Sequence, residues 1–231
     1  MSELPDLHTH YDAMWDRAWP AVAGGDVDCD THLAGGLDAR RGLTLIARPA
    51  PALADRFDAL QARLADADPR QYRQPRADLH VTILSLFTVT ADYAPHLARR
   101  ADYAAAVRAA VAGLPAFDID FDGITISRGA VLARGFPRDG TLELLRARLR
   151  DALRARGLDG SLDQRYRLVT AHSTLLRFTA PPPDPARLAA ALAEVRAMPL
   201  GTMRVKSLQL VVNDWYMSSA AVEALESFTL P

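Results

Sequence analysis

Apolar positions along the chain follow two spacings, and the elements they predict recur in one order. Leu7 to Val22 has helical spacing, with Trp15 and Trp19 four apart, and runs into Gly24-Gly25 and a polar, Gly-rich stretch ending at Gly36. Residues 1–40 therefore read as an N-terminal helical extension with a loop. From Gly42 a first pass predicts a strand (Gly42 to Arg48), a helix (Ala52 to Asp68), a long strand (Leu79 to Val89), a helix (Ala94 to Ala112) and a strand (Phe117 to Ser127). A second pass predicts a strand (Ala130 to Phe136), a helix (Thr141 to Arg156), a long strand (Tyr166 to Phe178), a helix (Pro185 to Ala197) and a strand (Thr202 to Asn213). A short helix, Ser219 to Ser227, closes the chain. The repeated order predicts an α+β, bilobal domain over residues 41–231, with lobes at roughly 41–127 and 128–231 and a cleft between them.

Each pass carries a histidine–threonine pair on its central strand. These strands read LHVTILSLF and AHSTLLRF. Side chains alternate faces along a strand, so His80 and Thr82 point one way while Leu79, Val81 and Ile83 point the other. By the same rule His172 and Thr174 share a face, with Thr170 beside them. One such pair carries little information, and half-buried histidines with satisfied hydrogen bonds would explain it. Two at matching positions in a duplicated pattern point to chemistry. Breaking a phosphodiester needs one group to take a proton and another to give one. An imidazole with an unperturbed pKa of about 6.5 can do either near neutral pH. Threonine hydroxyls can donate to non-bridging oxygens as charge develops on them.

The paired motifs HVTI and HSTL, the second extended to HSTLLR by Arg177, resemble those of the 2H phosphoesterases. That superfamily includes the 2′-5′ RNA ligase-like proteins and the cyclic nucleotide phosphodiesterases. The resemblance covers about Asp38 to Leu230. It implies two antiparallel-sheet lobes with helices outside and action on a 2′,3′-cyclic phosphate or 2′-5′ phosphodiester of a nucleotide or RNA end, without metal or cofactor. It further implies that His80 and His172 are the acid/base pair and that Thr82 and Thr174 hold the phosphate. The forty-residue extension lies outside the common pattern and is placed to restrict or cover the cleft.

Further residues are candidate substrate contacts. Arg177 follows His172 by five positions, and odd spacing puts it on the opposite strand face unless a bulge intervenes. Bracing the site from behind or pairing with a carboxylate is favoured over direct contact with phosphate. Trp215 and Tyr216, just past the last strand of the second pass, can stack on a nucleobase or seal the lobe edge. Tyr72, in the loop before the first motif, is a candidate of the same kind.

Composition narrows the field. The chain has 231 residues, 49% of them hydrophobic, with 27 basic and 28 acidic side chains for a net charge of −1. No basic excess points to long nucleic acid. No apolar run nears the roughly 18 residues that cross a bilayer, and the N-terminus lacks a signal pattern. A cytoplasmic monomer acting on a small nucleotide or RNA-end substrate is the expectation. Cys29 is the single cysteine, so no internal disulfide or thiolate metal site can form.

Two other readings compete. Asp6-Leu7-His8-Thr9-His10 is similar to the Asp-x-His-x-His opening of metal-dependent phosphoesterase barrels. No apolar strand precedes it, however, and the chain is short for a barrel of about 250 residues. A structural or surface role for His8 and His10 is favoured. The other alternative is a non-catalytic nucleotide- or RNA-binding module of the same fold. Arg146, Arg150 and Arg154, four apart on one helix, read as a solvated face with Glu143 and Asp151 nearby, or else as a stripe that meets an RNA backbone.

Overall fold

A computed structural model describes residues 6–34, 38–163 and 167–231. The extension forms α1 (Leu7–Ala23), whose start is capped by the Asp6 carboxylate accepting from the backbone N–H groups of His8 and Thr9 (3.1 and 3.3 Å). The Asp6 side chain of the Asp-x-His-x-His sequence is thus a helix cap, and His8 stacks on Phe136 at 4.2 Å between centroids. Tyr11, Trp15, Ala18 and Val22, spaced by three and four, form the buried face of α1.

Next come β1 (Arg41–Ala47), α2 (Pro51–Ala67), the two-residue β2 (Tyr72–Arg73) and β3 (Val81–Thr90). Pro51 opens α2, where a missing N–H costs nothing, and Leu53, Phe57, Leu60 and Leu64 form its buried stripe. The helix expected over Ala94 to Ala112 is two, α3 (Ala94–Ala98) and α4 (Arg100–Val111), broken at Arg99. The chain continues through β4 (Phe117–Ile126), β5 (Ala130–Pro137), α5 (Thr141–Arg154), β6 (Ser173–Arg177) and α6 (Pro185–Val195). It ends with β7 (Pro199–Val205), β8 (Ser207–Asn213) and β9 (Glu223–Thr229).

Two antiparallel sheets result, ordered β3-β1-β8-β9 and β2-β6-β5-β4-β7. Each draws strands from both sides of position 127, so the sheets are not the consecutive halves 41–127 and 128–231. The third strand of each pass crosses over: β4 pairs with β5, and β8 pairs with β1. The repeat is visible in this exchange, because β1 sits between β3 and β8 as β5 sits between β6 and β4. One continuous apolar core joins both sheets and includes Trp15, Ala18 and Val22 of α1, which packs on β4 and α6. The extension is built into the core rather than laid over it. Among the described residues no helix is long and apolar enough to cross a membrane.

Three further expected elements differ. The strand from Thr202 to Asn213 is split at Lys206 into β7 and β8, which belong to different sheets. Alternation changes phase at the break: Met203 and Val205 are buried, Lys206 and Ser207 are both exposed, and burial resumes at Leu208 and Leu210, a slip that reading one continuous strand passes over. Ser219 to Ser227 is not a helix. Its first residues make one turn, with the Ala221 and Val222 N–H groups on the Ser218 carbonyl, and the rest joins β9. Alanine, leucine and glutamate favour a helix there, but the open edge of β8 offers a full ladder and wins. The long strand from Tyr166 to Phe178 shrinks to β6. Tyr166 lies outside the described residues, and residues 167–172 run without strand pairing.

Candidate active site

His80 and His172 each stand one residue before a strand, β3 and β6, rather than within it. Nor are these the middle strands of their sheets: β3 is an edge, and β6 has only two-residue β2 outside it. That placement leaves both motifs beside a cleft of about 250 Å³ lined by His80, Thr82, His172, Thr174 and Arg177.

The two rings are held in the same way. His80 Nδ1–H donates to the Asp78 carbonyl at 2.7 Å, which fixes the neutral tautomer with its lone pair on Nε2. The carbonyls of Ala77 and Leu79 are in turn held by Arg48, and the buried Asp78 carboxylate accepts from Ser219 N–H at 2.8 Å. His172 Nδ1 meets the Thr170 hydroxyl at 2.8 Å, a partner that serves either tautomer. In both rings Nε2 is the nitrogen left for a substrate.

Burial pushes both imidazoles down, each to about 4. For His80 the fields of Arg48 and Arg177 add to the effect; for His172 those of His80, Arg146, Arg177 and His10 do. Without ligand both rings are therefore neutral at pH 7. The cations that disfavour imidazolium also favour an anion, and a bound anion restores the conditions for protonation.

Arg177 reaches the cleft through a bulge. In the β5–β6 ladder Val131 faces Leu176 and Leu132 faces Thr174, so Leu175 is an extra residue. That residue cancels the odd spacing and brings Arg177 to the side of Thr174. Its guanidinium lies 5.5 Å over the Tyr216 ring, and its Nε is buried with no hydrogen-bond partner. Desolvation pushes its pKa down. Tyr216 is itself a buried wall, its hydroxyl donating to the Asp30 carboxylate at 2.8 Å, so it orients Arg177 rather than offering an open stacking face. Trp215 is 37% exposed at the cleft, with the Arg40 guanidinium 5.8 Å from its ring. Tyr72 pairs with Arg177 across β2–β6 and is not part of the cleft wall.

The extension reaches the site at two places. Asp28 to His32 flank a second hollow of about 520 Å³ that shares Arg177, Trp215 and Tyr216 with the cleft. On α1, the Tyr11 hydroxyl accepts from the N–H of Ala171, the residue before His172, at 3.1 Å.

The sequence of residues 49–216 matches the family model of the 2′-5′ RNA ligase superfamily. The chain belongs to that superfamily. Among curated proteins none matches its sequence. Solved structures share the fold of this superfamily member. A Thermus thermophilus protein superposes with a TM-score of 0.58 at 19% identity, covering 82% of this chain and 97% of its own. E. coli LigT complexed with 3′-AMP gives 0.54 at 16% identity over 83% and 98% of the two chains. A conserved Agrobacterium tumefaciens protein of unknown function gives 0.57 at 17% identity over 89% and 96%. The family match begins after α1 and the Asp28–His32 segment, so those contacts to the site lie outside it.

Several cleft residues escaped the motif reading. Gln74 and Asn213 line the cleft with their amide groups tied to the carbonyls of Tyr216 and Asp214 (3.0 and 2.8 Å). Neither stands in a pattern that marks it. Arg146 and Arg150 are buried, correcting the solvated-face reading. They lie on the same face of α5 as Leu142, Leu145, Leu149 and Leu153, and Arg150 pairs with Asp163 at 2.6 Å. Arg154 is the exposed member of the three.

Proposed function

We propose that this protein is a metal-independent phosphodiesterase that opens a 2′,3′-cyclic phosphate, or cleaves a 2′-5′ phosphodiester, of a nucleotide or RNA end. The observation that carries this reading is that two histidine–threonine motifs, one from each sheet, open on a single cleft with Nδ1 of both rings already engaged. In ring opening, one imidazole removes a proton from water as its oxygen attacks phosphorus. The other protonates the ribose oxygen as the P–O bond breaks. The product is a phosphomonoester, one water has been consumed, and the two rings have exchanged protonation states. Thr82 and Thr174 donate to the non-bridging oxygens, and Arg177 supplies the charge that balances them. The bound phosphate raises the imidazole that must act as acid out of its depressed range, so substrate binding itself prepares the catalyst.

Turnover of 2′,3′-cyclic nucleotides, followed by ³¹P NMR in excess EDTA, tests the reading. Activity persists in EDTA, and His80→Ala and His172→Ala each lower kcat by about 10²–10⁴. Activity that EDTA abolishes and added metal restores would overturn it, as would either variant turning over like the parent.

A further inference from the structure

Arg146 joins the two motifs from behind. It projects from α5, is 3% exposed, and spends its guanidinium on main-chain carbonyls. Nε donates to Ile83 O at 2.8 Å and Nη2 to Thr82 O at 3.2 Å, both on β3. Nη1 donates to Val169 O at 3.0 Å and Nη2 also to Thr170 O at 2.7 Å, on the segment leading into His172. No backbone ladder connects β3 with β6, which belong to different sheets. One rigid, planar fork therefore fixes the main chain at Thr82 in one motif and at Thr170, whose hydroxyl holds His172, in the other.

The choice of a cation is informative. Among the described residues no carboxylate forms an ion pair with Arg146. Glu143, a turn earlier on α5, has its Oε2 buried without a partner, and burial pushes its pKa up. A buried guanidinium lacking a carboxylate partner is costly. Its pKa is pushed down to about 10 by burial, yet it stays charged at neutral pH. A neutral side chain would fill the space, but it would bring neither four matched donors nor a charge.

We propose that Arg146 is a positioning residue for the reaction: its guanidinium sets the separation of the two histidine–threonine motifs and keeps a permanent positive charge behind the phosphate they hold. The role in turnover rests on the phosphodiesterase reading above; the effect on the rings does not. His172 is faced by Arg146 on α5, Arg177 on β6, His80 before β3 and His10 on α1. His80 is faced by Arg48 after β1 and by Arg177. Loss of the Arg146 charge accordingly acts on His172 first.

Arg146→Lys and Arg146→Gln separate charge from geometry. Kinetics on a 2′,3′-cyclic nucleotide across pH, and histidine titration by NMR without substrate, are read in both variants. In Arg146→Lys, which keeps the charge but loses the fork, kcat falls about tenfold or more with KM nearly unchanged, and the acid limb of the pH profile stays in place. In Arg146→Gln, kcat falls as far and the His172 titration moves to higher pH by about half a unit or more, while His80 moves less. Folded variants with parental kcat, or an unmoved His172 in Arg146→Gln, would overturn the proposal. Loss of the fold in both variants would overturn it too, by making Arg146 a residue of the core alone. A parent protein that fails to turn over cyclic phosphate sinks the phosphodiesterase reading, whereas the His172 titration still decides whether Arg146 acts on the site.

Discussion

Tyr11→Phe removes one oxygen from the interior and weakens both fold and site. The hydroxyl accepts from Ala171 N–H at 3.1 Å and from Gly135 N–H at 3.4 Å, and donates to the Gly135 carbonyl at 3.2 Å. It stands where the β5–β6 ladder stops. Pairing ends at Ala133 and Ser173, and Gly135 comes so close to the Ala171 carbonyl that a Cβ on Gly135 would lie 2.0 Å from that oxygen. Phenylalanine keeps the ring contact with Phe136 at 5.4 Å and deletes only the polar partner. A buried donor left unmet costs about 1–3 kcal/mol, and with the Ala171 N–H as the better-placed of the two donors the expected loss is about 2 kcal/mol. For a chain of this size that is a fall in Tm of about 4–8 °C. Urea unfolding measures it, with the m-value unchanged. Since Ala171 precedes His172, kcat/KM also drops about tenfold. A variant within about 0.5 kcal/mol of the parent, with unchanged kcat/KM, would refute the idea that α1 helps build the site.

Acid is expected to destabilise the ligand-free protein through the same two histidines. Each ring titrates near 4 in the fold and near 6.5 when unfolded. The unfolded chain thus binds more protons between those values, and stability present above pH 6.5 is lost as pH falls, by about 3 kcal/mol per ring at pH 4. Thermal melts between pH 7 and pH 4.5 show this, and replacing both rings with asparagine flattens the dependence; an unchanged slope in that variant argues against buried neutral imidazoles. Arg177→Met weakens inorganic phosphate binding by about tenfold while leaving Tm within a few degrees, because the guanidinium has no ion-pair partner to lose among the described residues. Calorimetry and melting together check it, and unchanged phosphate affinity contradicts a role for Arg177 in charge neutralisation.

The site was more legible in the sequence than the way the sheets are assembled. Histidine and threonine two apart before an apolar strand can be read directly, since alternation fixes their common face. Helices with one clean stripe, such as the Leu53, Phe57, Leu60 and Leu64 face, are equally plain. The break before β8 shows as two successive exposed polar positions, Lys206 and Ser207, but which strands β4 and β8 then pair with leaves no local trace, because the partners are distant in sequence. Arg177 required knowledge of one extra residue, Leu175, that periodicity cannot supply. Arg146 and Arg150 carried the signature of a surface stripe. Their position on the leucine face of α5 was present in the spacing but was outweighed by their charge. At Ser219 to Ser227, intrinsic helix preference lost to an unpaired strand edge, a contest settled only by tertiary structure.

The shared-anion geometry is tested most directly by titrating inorganic phosphate into protein with isotope-labelled histidine and following both imidazoles by NMR. The account predicts that the Nε2 signals of His80 and His172 move together along one saturation curve, and that both apparent pKa values rise from about 4 toward neutrality as the anion binds. Separate curves for the two rings, or a response confined to one of them, would contradict it.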